Sequence, residues 1–346
     1  MAIFYDAPVD PVELTTFIRE VPLPAEFTLS AAFPTKTVDS NEVDFAEIVR
    51  TNRTARYRTF DGRINVSSRD TGSIKKVRLA PLSSSLNMGE YERLQLEFAR
   101  TGGTNQQALA NSIYNDAENL AREVHARLEQ AWGDVLTDAK LTINEGGLKN
   151  AEADFGMPAN QIVAPGVLWS DTTNAVPLTN LLAWCDIYVA NNGVRPANMR
   201  TSLAVIRLMQ KNKEIIDAVY GATQGRTRVT RTELNDLLGS EGLPTLVPEY
   251  DTVVDVDGTS TRVIADDKVV FTPANLADLG YLASGVSATA LELMDSNEVD
   301  FAFEEAPGIV GVVEKDGPPY RQYTFVDAVA MPILSDARKL MVADVK

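Results

Sequence analysis

Asp70-Thr71-Gly72 spells the triplet with which aspartic proteases activate water, a chemistry that needs the carboxylate at the end of an apolar strand. Here the triplet lies among charged and polar residues, Ser68 to Ser73, and reads as a hairpin turn. Asp154-Phe155-Gly156 matches the magnesium triplet of kinases, yet neither a His-Arg-Asp loop nor a glycine-rich loop accompanies it. Asp255-Val256-Asp257-Gly258 is similar to the start of a calcium loop, but Val253 and Ile264 occupy two ligand positions, so a hairpin turning at Asp257-Gly258 is expected. Glu304 and Glu305 are a carboxylate pair of the kind that does acid–base work. With 48 acids in 346 residues such pairs arise by chance, and a solvated face is the simpler reading. There is one cysteine, Cys185, and one histidine, His125, so a structural zinc site and most histidine-based catalysis are excluded. Cys185 sits in an apolar run and reads as core, and His125 reads as a flank residue of a helical stripe. No phosphate loop occurs. The sequence assigns no catalytic residue, no metal ligand and no cofactor.

What the chain does carry is a charge reversal. Arg50, Arg53, Arg56, Arg58, Arg63, Arg69, Lys75, Lys76 and Arg78 stand against Asp61 and Asp70, nine bases against two acids, a local charge of +7. The whole chain is −16, so the remainder sums to −23. A cationic segment on an anionic body must find an anion, either nucleic acid or the acidic surface of another copy. Nine cations suit phosphate through counterion release. A −23 body repels the same polymer, however, and only Tyr57 and Phe60 offer stacking platforms. Self-association meets both objections, and these nine residues are the candidate inter-subunit contacts. A nucleic-acid-binding hairpin is the alternative.

The elements around that segment follow from periodicity. Residues 1–50 are proline-punctuated, with a helical candidate at Pro11–Arg19, and read as an extended arm. Runs at Arg56–Phe60, Arg63–Val66 and Ile74–Leu79 alternate as strands, so an exposed hairpin is expected, too polar to stand without a surface to lie on. Thr104-Asn105-Gln106-Gln107 fits a capping box opening a helix to about Thr137. Its apolar stripe is Leu109, Ile113, Ala117, Leu120, Val124, Leu128, Ala131 and Val135, and Asn111, Asp116, Arg122, Glu123 and Glu129 form its polar face. At about 1.5 Å per residue such a helix reaches on the order of 50 Å.

Strands are expected at Lys140–Asn144, Gln161–Ala164 and Lys268–Thr272, with a hairpin over Thr252–Ile264. The tail adds strands at Gly308–Glu314, Tyr320–Met331 and Leu340–Val345. Helices are expected at Pro177–Asn191, Met199–Lys211 and Lys213–Tyr220, and another capped by Thr230-Arg231-Thr232-Glu233. The mixture lacks βαβ alternation, so the class is α+β. The octapeptide Asp39–Ala46 recurs letter for letter at Asp295–Ala302, and both copies read as a turn entering a strand. No run reaches the roughly 18 apolar residues of a membrane span, and the first residues lack a signal-peptide pattern, so folding in the cytosol is expected.

This order of parts resembles the major capsid protein of tailed phages, in particular the lambda-like capsid protein family with the HK97 fold. The likeness is carried by Phe33-Pro34 through Ile48, Val77 to Pro81, the long helix with its exit Val135–Thr142, Asp267–Phe271 and Tyr320–Pro332. It implies an HK97-like capsid fold in five parts. These are an N-terminal arm (1–50), an extended loop (51–98), a spine helix with peripheral strands (99–175), an axial domain (176–295) and peripheral C-terminal strands (296–346). It further implies a structural protein, not an enzyme, whose pentamers and hexamers form an icosahedral virion shell in the host cytoplasm around double-stranded DNA held without sequence-specific contact. A scaffolding protein, a portal protein and room for a decoration protein come with it. No extra N-terminal helical region precedes the arm, so a separate scaffold is expected. Some relatives weld subunits by a lysine–asparagine isopeptide bond. Lys75 and Lys76 lie on the corresponding loop, although this branch generally lacks that chemistry.

Overall fold

The computed structural model describes residues 2–38, 40–48, 72–91, 105–145, 148–222, 225–302, 306–318 and 321–346. Its axis is one helix. After two short arm helices, α1 (Pro11–Glu20) and α2 (Thr28–Ala32), the long helix α3 runs over Asn105–Asp138. Ile113, Ala117, Leu120, Val124, Leu128 and Val135 of the expected stripe are buried, and Leu109 and Ala131 half-buried. The expected cap residue Thr104 lies outside the described residues. The helix stops at Ala139, whose φ of 57° is left-handed, and the Asp138 carboxylate accepts from Lys140 N at 2.9 Å.

The upper stripe packs with α1 (Leu14, Ile18) against Val326, Ala328 and Ala330. The lower end, Trp132 to Leu136, packs with Phe33, Val263 and Ile333 in a second core. At about 1.5–3 kcal/mol per fully buried large apolar side chain, these two seams hold the arm and the sheet to one rod. Gly133 has a packing reason: a methyl there would collide with the carbonyl oxygen of Val263.

Two sheets flank the rod. A six-stranded sheet is centred on β16 (Arg321–Leu334), which pairs with β15 (Val310–Asp316), β14 (Gly280–Gly285) and β5 (Pro81–Met88). β1 (Ala2–Ile3) joins β15, and β2 (Thr35–Thr37) runs parallel to β14. A five-stranded sheet has the order β10 (Thr245–Leu246), β9 (Asn198–Thr201), β13 (Lys268–Thr272), β17 (Met341–Asp344), β8 (Ile162–Val163). Helices α4 (Pro177–Asn192), α5 (Leu203–Lys211), α6 (Lys213–Tyr220) and α7 (Arg231–Ser240) share a core with it, in which Trp184 lies 5.8 Å from Trp169 and 6.4 Å from Phe271. The chain thus crosses between sheets: β14 goes to the six-stranded sheet, while the C-terminal β17 returns to the five-stranded one.

Several expectations are met closely. Gly193 ends α4 at φ 73°, and the Thr230–Glu233 capping box opens α7. β11 (Val253–Val256) and β12 (Thr259–Arg262) turn at Asp257 and Gly258, both with positive φ, as a two-residue I′ turn demands. Others need correction. Met199–Thr201 is strand rather than helix, because it fills the slot between β10 and β13, and Ser202 then caps α5. The repeated octapeptide takes two conformations. Its first copy enters strand β3 (Glu42–Ile48), whereas Asp295 ends helix α8 (Ala288–Asp295) and Ser296–Ala302 forms no strand.

Candidate assembly surface

The described part of the basic hairpin is a two-stranded ribbon. β3 pairs antiparallel with β4 (Gly72–Arg78), from Glu42 opposite Arg78 to Ile48 opposite Gly72. The partner expected for this stretch, Arg63–Val66, lies outside the described residues, as do Asp70 and Thr71; the strand found opposite it belongs instead to the expected arm, and Gly72 and Ser73 of the expected turn are strand. The pairing sets Glu42 opposite Arg78 and Asp44 opposite Lys76, and with Glu47 of β3 and Lys75 of β4 the two strands carry three acids and three bases, so the stem is neutral. Glu42 and Arg78 form an ion pair at 3.0 Å, 44% and 85% exposed, which limits it to about 1 kcal/mol at most. Asp44 stands opposite Lys76 in the register.

The net positive charge of the basic segment therefore belongs to residues 49–71. That stretch of sequence holds Arg50, Arg53, Arg56, Arg58, Arg63 and Arg69 with Asp61 and Asp70, a local charge of +4 on a chain whose other residues sum to −20. These six arginines lie outside the described residues. The ribbon is rooted where Val43 and Leu79 enter the core, Leu79 N donates to Asn41 O at 2.9 Å, and Asn41 Nδ2 donates to Val286 O at 3.1 Å.

The arm beside it is fixed by a residue whose role the sequence reading missed. Glu129, expected on the polar face of α3, is fully buried. Its carboxylate accepts from Leu29 N (2.9 Å), Ser30 N (2.7 Å), Ser30 Oγ (2.6 Å) and Tyr250 OH (2.6 Å). It thus closes the first turn of α2 in place of a local cap, since Phe27 at that position has no side-chain oxygen. Phe33 stacks on Trp132 with centroids 3.7 Å apart, and Arg200 lies over the Tyr250 ring at 5.6 Å. Burial pushes the Tyr250 phenol up, and its bond to Glu129 pushes the same way. Burial also lowers the Arg200 guanidinium. The long helix, the arm and Tyr250 meet at this one carboxylate, and Arg200 of strand β9 joins them through Tyr250 and Thr28. The periodic pattern places Glu129 beside Leu128, but only tertiary contact reveals that α2 covers it.

The candidate catalytic triplets do other work. Asp154 Oδ1 accepts from Gly156 N at 2.8 Å, and Asp255 Oδ1 accepts from Gly258 N at 2.7 Å, each a local turn. Glu304 and Glu305 lie outside the described residues. Among the described residues no cluster of three or more His, Cys, Asp or Glu side chains is placed to hold a metal, and no helix is long and apolar enough to cross a membrane. Burial lowers His125 and pushes the Cys185 thiol up to about 11. A thiol so held is inert core.

A family model described as phage major capsid protein E matches residues 10–290. No curated protein matches the sequence. Among solved structures, a protein assigned as the capsid protein of a prophage in E. coli CFT073 superposes with a TM-score of 0.62 at 15% identity, covering 98% of this chain and 99% of that one. A phage-related protein from Bordetella bronchiseptica RB50 gives 0.57 at 13% identity, covering 99% and 98%. At such identities the likeness is one of fold, and the fold is the α+β, HK97-like capsid fold.

Proposed function

The chain belongs to the phage major capsid protein E family, and we propose that its copies strap themselves into the head shell through the basic segment 49–71. The protein is a shell-forming structural component of the virion capsid. Pentamers and hexamers closing an icosahedral head around double-stranded DNA are the assembly this role calls for. A scaffolding protein, a portal and a decoration protein are the partners it would meet, in the host cytoplasm.

The observation that carries the strap is the partition of charge. A neutral ribbon holds a +4 segment on an otherwise −20 chain, so the one surface guaranteed beside every copy, that of another copy, is of the opposite sign. The same acidic wall keeps packaged DNA from adhering. Neither a catalytic step nor a cofactor is part of this role, and the nucleic-acid alternative has no support in the family match.

Arg53, Arg56, Arg58 and Arg63 all changed to Glu should abolish shells in electron micrographs while the subunit keeps its melting temperature. Normal shells from that variant would overturn the strap. The four are chosen outside the stem, where Lys76 and Arg78 stand opposite Asp44 and Glu42 of their own ribbon.

A further inference from the structure

The letter-for-letter repeat is the one sequence motif that a shell-forming role leaves unused, and the fold brings its two copies to one place. The first octapeptide, Asp39–Ala46, leads into β3. At its root Asn41 Nδ2 donates to Val286 O at 3.1 Å. Val286 is also where the chain departs for the second octapeptide. It bridges to Pro307, and the excursion between the two holds α8 and Asp295–Ala302. Val286 packs in the same small core as Val299 and Phe301 of that excursion.

Identical residues are held very differently. β4 gives the first octapeptide five paired residues, from Glu42 opposite Arg78 to Ala46 opposite Ile74. The second has no strand partner among the described residues. Past Asp295 its main chain makes two hydrogen bonds there, Ser296 N to Leu293 O at 3.4 Å and Glu298 N to the Ser296 hydroxyl at 3.1 Å. Asn297, Glu298, Asp300 and Ala302 are exposed. Phe301, 7% exposed, is the anchor, packed in a core with Leu293 and Val310.

We infer that the second octapeptide is a built-in competitor for β4: in a second state of the same chain, Glu298–Phe301 takes the places of Glu42–Phe45. Because the letters are the same, the exchange loses no cross-strand pair. Glu298 then meets Arg78 and Asp300 meets Lys76, as Glu42 and Asp44 do in the described state. The chain is long enough. Three steps of about 3.3 Å carry Phe301 about 10 Å out along β4 from the Glu298 position. Phe301 and the buried Ala306 are five residues apart and can stand up to about 17 Å from one another, so Ala306 keeps its place. Val299 takes over the buried site of Val43, and the uncompensated loss is the burial of Phe301, which makes the described pairing the ground state. The exchange detaches the arm from the ribbon and roots the ribbon in the excursion before β15 instead. One charged segment thus has two rootings.

Cysteine pairs in the full-length chain read the two states. Glu42→Cys with Arg78→Cys traps the described pairing, and Glu298→Cys with Arg78→Cys traps the exchanged one. All three sites are exposed, while the native Cys185 is buried and stays out of the chemistry. In a glutathione buffer, unassembled subunits carrying the second pair should form an intrachain disulfide, mapped by mass spectrometry of the non-reduced digest. It should form on the order of tenfold faster than with Asp295→Cys and Arg78→Cys, a pair three residues out of register. Adding Asp300→Lys, at an exposed position, sets a like charge opposite Lys76 only after the exchange and should slow the bond about twofold to fivefold. Melting temperatures of the reduced variants check folding, and Asp300→Asn, with a smaller slowing, replaces the lysine should that variant not fold. No bond between positions 298 and 78, equal rates from 298 and 295, a bond formed only between chains, or indifference to the change at Asp300 would each overturn the inference. The arginines of the strap are untouched in every variant, so the strap stands or falls separately.

Discussion

Replacing Glu129 by Ala should loosen the N-terminal arm from the long helix without touching either sheet. The carboxylate is fully buried and accepts four hydrogen bonds, two of them from main-chain N–H groups of α2. Alanine leaves Leu29 N, Ser30 N and the Tyr250 hydroxyl without their acceptor, at about 1–3 kcal/mol for each group that stays dry. Water reaching the half-buried Ser30 recovers part of this, so the net loss is about 4 kcal/mol.

Glutamine should not rescue. Each carboxylate oxygen accepts one main-chain N–H, so either orientation of the amide points its NH2 at another donor. That variant should lose about 2–3 kcal/mol. Tyr250→Phe removes only a donor and should lose about 1–2 kcal/mol. The assay is amide hydrogen exchange on the unassembled subunit. A loss of about 4 kcal/mol is about a thousandfold faster exchange at Leu29 and Ser30, with protection in β13 and β17 unchanged. Glutamine behaving as wild type, or alanine speeding exchange less than about tenfold, would refute the reasoning.

Three further outcomes follow from the same structure. Gly133→Ala sets a methyl against the Val263 carbonyl, and since that neighbour is main chain, unfolding titrations should show a loss of about 1–3 kcal/mol. His125 is the only histidine, and burial lowers its pKa in the folded state below the ordinary 6.5. The unfolded chain therefore binds the extra proton first, so its contribution to stability is complete above pH 6.5 and is lost as pH falls through the folded value. His125→Gln should flatten that part of the stability–pH curve, and an unaltered curve would contradict the assignment. Assembly should weaken as ionic strength rises through the range where the Debye length drops from about 10 Å to 3 Å, and light scattering over 0.1–1 M salt measures it.

The sequence exposes what depends on local spacing and hides what depends on partners. The stripe from Leu109 to Val135, the capping box at Thr230 and the Asp257-Gly258 turn are each set by residues within a few positions, and each forms as read. Met199–Thr201 has helical spacing but is claimed by two neighbouring strands, and the identical octapeptides diverge because one meets β4 and the other follows a helix. The charge reversal was legible as a total, but its partition was not. That needed the pairing of β3, from the expected arm, with β4, which sets Glu42 and Asp44 opposite Arg78 and Lys76. Glu129 looked like any solvated helix acid until α2 covered it.

Electron microscopy of the purified protein at low salt, beside the variant with Arg53, Arg56, Arg58 and Arg63 changed to Glu, tests the central claim most directly. Closed shells or rings of five and six from the wild type, and dispersed folded subunits from the variant, are the predicted result. Dispersed subunits from both, or equal shells from both, would contradict self-assembly through the basic strap.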